Sequence, residues 1–273
     1  IGHLYPKVKL PREYGGREAN VIAWLWARTV ASPNPAAQGA HVPLISTYWL
    51  SSKKGQLVWL HPVVDKKTNS WRFEVKTGEP PNRKLISNGT KAGKGSMFNC
   101  LLTGVPIKGD YIQEQGKAGK IGYRLIAVVA DLGRGRTYLP ASDTQTTIVE
   151  QATPGWYPEE RLSTHPQYMG APRYGMARFG DLFTPRQLTT MVTLSDLVKD
   201  VRQDVLADAR KAGISDAEAD VYAKTITTFL ALALDRCADF NNALCTWNSS
   251  NQKVMHLFGR QAIPMVWDFA EAN

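Results

Sequence analysis

The 273-residue chain has only three cysteines, Cys100, Cys237 and Cys245, an odd number spread far apart. That excludes a disulfide framework and indicates a reducing compartment, which we take to be the cytoplasm. No apolar run approaches the roughly 20 residues that cross a bilayer, so no membrane partner is expected. The first residues, IGHLYPKVKLPREYGG, lack the apolar core of a secretory leader. In a cytoplasmic chain the acceptor-like triplets Asn88-Gly89-Thr90 and Asn248-Ser249-Ser250 have no meaning. An initiator methionine is missing and the chain stops abruptly at AEAN. Both ends read as cuts, and we expect a fragment of a longer protein.

Catalytic motifs are also missing. NGTKAGKG (88–95) falls short of a phosphate loop: Asn88 stands where its first glycine belongs, and Gly95 where the magnesium-binding Ser or Thr belongs. GKAGK (116–120) fails as well, so nucleotide hydrolysis is not indicated. No histidine lies beside a nucleophile in a triad-like pattern. No His-x-x-x-His or paired Cys-x-x-Cys remains to hold a metal, and no metal site is assigned. Arg260, Trp267, Asp268 and Glu271 cluster near the end, but one carboxylate pair and one arginine do not make an active site. Nothing supplies a nucleophile, a base and a stabilising group together, so we assign no catalytic residue.

What is present is a core and a lopsided charge. The chain is 43% hydrophobic and 10% aromatic, which is enough to fold. The net charge is +9, but residues 1–140 hold 21 Lys and Arg against 8 Asp and Glu, a net +13. Residues 141–273 hold 12 against 16, a net −4. Such asymmetry indicates that the first half meets an anion, most commonly nucleic acid; otherwise its lysines only confer solubility.

The pattern indicates an α+β chain: a basic, β-rich N-terminal half followed by a long antiparallel helical hairpin. Residues 1–20 read as a connecting arm, 21–140 as a basic β-rich domain and 141–183 as an irregular connector, within which Ser142–Glu150 suits a short helix. Residues 184–246 read as the hairpin and 247–273 as a return segment. VIAWLWARTV (21–30) suits a buried strand with Trp24 and Trp26 on one face, for core packing or, less simply, base stacking. Three apolar stretches, 44–50, 57–64 and 71–76, suit a β-meander with Lys53, Lys54, Lys66 and Lys67 at its hairpin tips. Residues 78–97 suit a mobile loop. Residues 123–131 and 136–139 suit strands joined by a basic turn with Arg134 and Arg136 beside it.

From Thr184 the period becomes helical. Thr184-Pro185-Arg186-Gln187 fits a capping box, and Ser215 to Glu218 a second one after the stop at Gly213. The second helix is expected to run to about Leu244, with a buried stripe of Tyr222, Ile226, Phe229, Leu230, Ala233, Cys237, Phe240 and Leu244. Just before the hairpin, RYGMARFGDLFTPRQL (173–188) holds Arg173, Arg178 and Arg186 with Tyr174 and Phe179. It reads as a basic, aromatic-lined turn facing a polyanion, or as a plain strand-to-helix connector with solvated arginines.

VIAWLWARTV with SPNPAAQG, GKAGKIGYRLIAVVAD with GRGRTYLP, YGMARFGDLFTPRQL and GRQAIPMVWDFAEAN occur in an order that resembles the middle of adenine-specific DNA methylases carrying a zinc ribbon. The resemblance runs over nearly the whole chain. It implies that the S-adenosylmethionine loop precedes this region and that the Asp-Pro-Pro-Tyr motif follows it; neither occurs here. The chain then reads as a non-catalytic insert, with S-adenosylmethionine bound only by the parent protein. The resemblance also implies four thiolates at positions 32, 37, 100 and 103, where this chain has Ser32, Ala37, Cys100 and Thr103. One thiolate does not hold a structural zinc, so a metal-free relic of the ribbon is expected.

The expected partners are therefore DNA and the remainder of a methyltransferase chain. The candidate phosphate contacts are Lys53, Lys54, Lys66, Lys67, Arg134, Arg136, Arg173, Arg178 and Arg186. The alternative is a scaffold or protein-interaction module, with the helical hairpin docked on a partner and the lysines incidental.

Overall fold

The β-branched, aromatic and small residues of VIAWLWARTVA suit a strand buried on both faces, and in the computed structural model this stretch is the central strand of the main sheet. The structure describes the backbone of residues 1–273 and every side chain except those of residues 143, 149 and 150. Two short paired strands, β1 (Val8–Lys9) and β2 (Glu18–Ala19), lead into β3 (Val21–Ala31). Next come β4 (His41–Leu44), β5 (Trp49–Ser51), β6 (Val58–Asp65), β7 (Ser70–Thr77) and α1 (Arg83–Asn88). The strands β8 (Phe98–Asn99) and β9 (Pro106–Ile107) pair before α2 (Gly109–Lys117). The hairpin of β10 (Gly122–Gly133) and β11 (Gly135–Pro140) precedes α3 (Asp143–Glu150). After an irregular stretch, α4 (Pro185–Lys211) and α5 (Asp216–Phe240) pack as a helical hairpin. The chain closes with β12 (Thr246–Asn248), β13 (Lys253–Met255) and β14 (Asp268–Ala272).

The main sheet is antiparallel throughout, in the order β11-β10-β3-β14. The second edge of β3 is shared: Ala23 to Ala27 pair with β14, and Arg28 to Ala31 pair with β4. A second sheet, β5-β6-β7, forms the meander. The first apolar stretch is divided between the two sheets, because Leu44 stays in β4 while Trp49 begins β5.

Alternation sorts the side chains of β3 into two cores. Ala23, Leu25 and Ala27 face the meander, where Tyr48, Leu50, Trp59, Trp71 and Phe73 pack over them. Small residues on one sheet make room for large rings on the other. Trp24 and Trp26 share the opposite face with Val21, Leu125, Val128 and Phe269, and both are fully buried. They are core residues. Leu4, Val8, Leu10 and Ala19 are buried too, so the expected arm packs onto the body.

A charged pair closes this second core. Thr184 and Gln187 exchange the two hydrogen bonds of a capping box, 3.2 and 2.9 Å long. The box aims Arg186 inward, where its Nε donates to Glu271 Oε1 at 2.8 Å and both side chains are 0% exposed. Arg186 Nη1 donates to the Leu4 carbonyl, and the guanidinium lies 4.1 Å from the Trp24 ring centre and 4.9 Å from that of Tyr5.

Several expectations need correction. Residues 78–97 contain α1, capped by Asn82, and the buried Thr90 ties this segment to β4 and to Ile45. The short α2 was not expected; it packs where Gly116 meets Tyr174, since a Cβ at Gly116 would lie 2.4 Å from the Tyr174 carbonyl oxygen. Segment 247–273 supplies β14 to the main sheet, so it shares that sheet with 21–140. The helix α5 ends at Phe240, and most of its expected buried stripe is solvent-facing, because α4 is its main neighbour and it is Ala219 and Ala223 that are buried there. Cys237 is exposed, whereas Cys100 and Cys245 are buried.

Two outcomes follow. Replacing Arg186 with Met should lower the unfolding free energy by about 3–5 kcal/mol, because it strands the Glu271 carboxylate. Lys66→Ala should change it by less than about 0.5 kcal/mol; denaturant titration compares the two, and equal losses would discount the buried pair. In the native protein one thiol, Cys237, should react at once with an aromatic disulfide reagent, and Cys100 and Cys245 only on unfolding. Burial also pushes the Cys245 thiol up to about 11, further from its reactive thiolate form.

Candidate nucleic-acid interface

The hairpin tips carry the cations outward. Lys53 and Lys54 lie in the β5–β6 turn, Lys66 and Lys67 in the β6–β7 turn, and all four are exposed. With β6 between them, the tips stand about 23 Å apart at the usual rise per residue. Arg134 sits at the β10–β11 turn, between Gly133 at φ 82° and Gly135 at φ 111°. These left-handed conformations suit glycine and make the tight turn possible.

Folding gathers part of the candidate set. Lys53, Arg134 and Arg136 line one groove of about 750 Å³, with the exposed ring of Tyr14 on its wall. Arg136 also donates to the Gln252 carbonyl, which holds it in the groove lining. Glu13 is an acidic residue on the same rim. Lys54 is adjacent to Lys53 in the turn, while Lys66 and Lys67 mark the far end of the meander.

The arginines of 173–188 separate. Arg173 lines a second pocket of about 730 Å³ together with Lys91, Arg260, Tyr168 and Trp267. Asp268 lies there too; burial raises its carboxyl above the ordinary range, against a 2.8 Å hydrogen bond from the Ser46 amide. Arg178 stands 3.6 Å from Glu159, an exposed pair of small energetic weight. Arg186 cannot touch DNA, because it is sealed in the core by Glu271. Lys91 and Arg260 join the basic surface without having been candidates. Both lie outside the regular helices and strands, where sequence offers no period from which to read a facing side.

The stretches in which the resemblance lies meet at a third, smaller pocket of about 220 Å³, lined by Arg28, Tyr123, Tyr174, Met176, Asp181 and Phe269. Arg28 Nε donates to the Val266 carbonyl at 2.8 Å and Nη2 to the Ala243 carbonyl at 3.0 Å. Its guanidinium lies 5.2 Å from the Phe269 ring centre. Burial lowers its pKa to about 10, opposed by the nearby Tyr123. Among the described residues no carboxylate comes within ion-pair distance of Arg28, so this arginine clamps backbone segments.

The ribbon positions were also tested by folding. Ser32 Oγ and Cys100 Sγ lie 3.3 Å apart and buried, and the Asn34 amide donates to Ser32 Oγ. Burial pushes the Cys100 thiol up, but hydrogen bonds from Ser32, Thr103 and the amides of Thr103 and Leu102 outweigh it and hold the thiol below its ordinary value. Ala37 is fully buried in the first of these turns. Two thiolates on one tetrahedral zinc stand about 3.8 Å apart, given bonds of about 2.3 Å. The spacing is close to that, but serine, alanine and threonine do not supply the thiolates. These residues do not fit a zinc ion, and among the described residues no group of three or more His, Cys, Asp or Glu could hold a metal.

The chain matches no family model, no curated protein and no solved structure. Among the described residues no helix is long and apolar enough to cross a membrane.

Replacing Ser32, Ala37 and Thr103 with cysteine should complete a four-thiolate site around Cys100. One zinc per chain is expected by native mass spectrometry, with an unfolding midpoint that rises by about 10 °C with zinc and falls on chelation. A variant that folds but takes up no zinc would show that the four positions do not converge.

Proposed function

We propose that this chain is a DNA-engaging, non-catalytic insert of an adenine-specific DNA methyltransferase. The observation that carries the reading is the groove with Lys53, Arg134 and Arg136 on the strongly basic half, with Tyr14 exposed beside them. Cations at the rim meet phosphates, and an exposed ring offers a stacking surface. In this reading Lys54, Lys66, Lys67, Arg173 and Arg178 extend the contact. S-adenosylmethionine and the Asp-Pro-Pro-Tyr chemistry lie in the remainder of the parent chain, and the setting is cytoplasmic. The resemblance supplies the methylase; the charge distribution and the groove supply the DNA contact.

A second reading, a protein-interaction module, is favoured by one specific observation. The outer face of α5 is apolar and uncovered. A basic groove and an apolar helix face can serve two separate tasks.

Fluorescence anisotropy with a labelled duplex, titrated across salt, tests the DNA reading. Log affinity should fall linearly with log salt, by about 0.9 per phosphate contact. Charge reversal at Lys53, Arg134 and Arg136 should weaken binding and make that slope shallower by about 2–3. Affinity that is absent at low salt, or indifferent to the triple reversal, would refute the groove as the DNA grip.

A further inference from the structure

The inner and outer faces of α5 are both apolar. No charge occurs in TITTFLALAL (225–234), between Lys224 and Asp235. Ile226 and Leu234, with Ala219 and Ala223, lie on the side that packs along α4. Val221, Tyr222, Phe229 and Leu232 lie on the other side, between 49% (Tyr222) and 66% (Phe229) exposed. A helix with one neighbour ordinarily carries polar residues on its outer face, and one that is apolar all round is ordinarily buried.

The charges at the two ends of this face say what fits it. Glu218 and Arg236 are 18 residues apart, which is five full turns, so both lie on the same outer line about 27 Å apart. One end is acidic and the other basic. A helix of that kind is complementary to itself when reversed. If a second α5 runs antiparallel about a two-fold axis level with Thr227, Glu218 of each copy faces Arg236 of the other. In the same register Tyr222 faces Leu232 and Thr225 faces Phe229. The remaining charges stay on the flanks: Asp220 is engaged by Arg202 and Lys224. Arg236 already bonds Asp239 at 2.6 Å and lies over Phe240, but its side chain is 63% exposed and keeps donors free for a second carboxylate.

We propose that the outer face of α5 binds a second copy of this chain, antiparallel and two-fold symmetric, giving a four-helix contact between two hairpins. Symmetric pairing repeats each contact twice, so a short patch yields a closed dimer with no open end. The patch is at the small end of stable interfaces, so association should depend on concentration across the micromolar range.

Sedimentation velocity of the chain without DNA is the test. The expected result is a monomer–dimer equilibrium, with a dimer of twice 30.3 kDa. Phe229→Glu and Leu232→Glu should each leave monomer with an unchanged circular dichroism spectrum. Glu218→Arg and Arg236→Glu should each weaken association by about three- to tenfold, and the double variant should restore it. A chain monomeric at all concentrations overturns the proposal. So does a dimer that survives Phe229→Glu, or one that the double variant fails to restore. A monomer that uses this face to hold the remainder of the methyltransferase overturns it in favour of an intramolecular cover. Because no DNA is present, the outcome is separate from that of the salt titration.

Discussion

The ion pair between Arg186 and Glu271 joins four parts of the chain that are far apart in sequence. Arg186 belongs to the first turn of α4, Glu271 to β14, the rings of Trp24 and Trp26 to β3, and Leu4 and Tyr5 to the N-terminal segment. Removing two charges from water costs several kcal/mol per ion, and the attraction between them compensates only when the remaining polar groups are also satisfied. Glu271 meets that condition. One oxygen accepts from Arg186 and Thr184, the other from Trp26 Nε1 at 2.9 Å. The arginine meets it in part: Nε bonds the carboxylate, Nη1 bonds the Leu4 carbonyl and the flat face rests on two aromatic rings, while Nη2 is buried without a hydrogen-bond partner among the described residues. The pair therefore acts as a register pin. It fixes where α4 leaves the sheet, and with it the direction of the whole hairpin.

The same constraint explains how the basic residues are divided. Arg186 and Arg28 are both buried, yet they resolve their charge differently: Arg186 against a carboxylate, Arg28 against two carbonyl oxygens and a ring. Both sit where elements meet, at the mouth of β14 and the end of α5. The cations left in water lie mostly at turns, where the backbone reverses and long side chains reach solvent. This is why Lys53, Arg134 and Arg136 converge although they come from two different sheets: the β5–β6 and β10–β11 turns end on the same side of the molecule.

Local signals were legible wherever the chemistry is local. The caps at Thr184 and Ser215, the stop at Gly213, the alternation through Trp24 and Trp26, and the lysine-tipped hairpins all sit where their residues imply. Facing was illegible wherever it depends on a distant partner. Arg186 looks like any arginine in a capped first turn, and the Glu271 that buries it lies 85 residues away. The stripe on α5 was read with the right period, but a helix apolar on two faces does not say which face is covered. Likewise α2 is short and polar, held mainly by Ile112 and the close approach at Gly116, and neither leaves a periodic trace.

The region around Cys100 joins two turns through side chains alone. A zinc ribbon fixes two turns through its metal. Here the Ser32–Cys100 hydrogen bond joins them directly, and a packed cluster stands behind it. Phe98 and Tyr174 each pack T-shaped against Trp267, at 5.3 and 4.8 Å between ring centres, beside Val30, Val42, Ile107 and Ile112. Each such ring pair adds roughly 0.5–1.5 kcal/mol beyond burial. Those contacts draw on Trp267, the residue before β14, and on the segment before α4, next to the parts that the buried ion pair locks in place. These turns are thus supported from the main sheet, and their stability is tied to the register that Arg186 and Glu271 set.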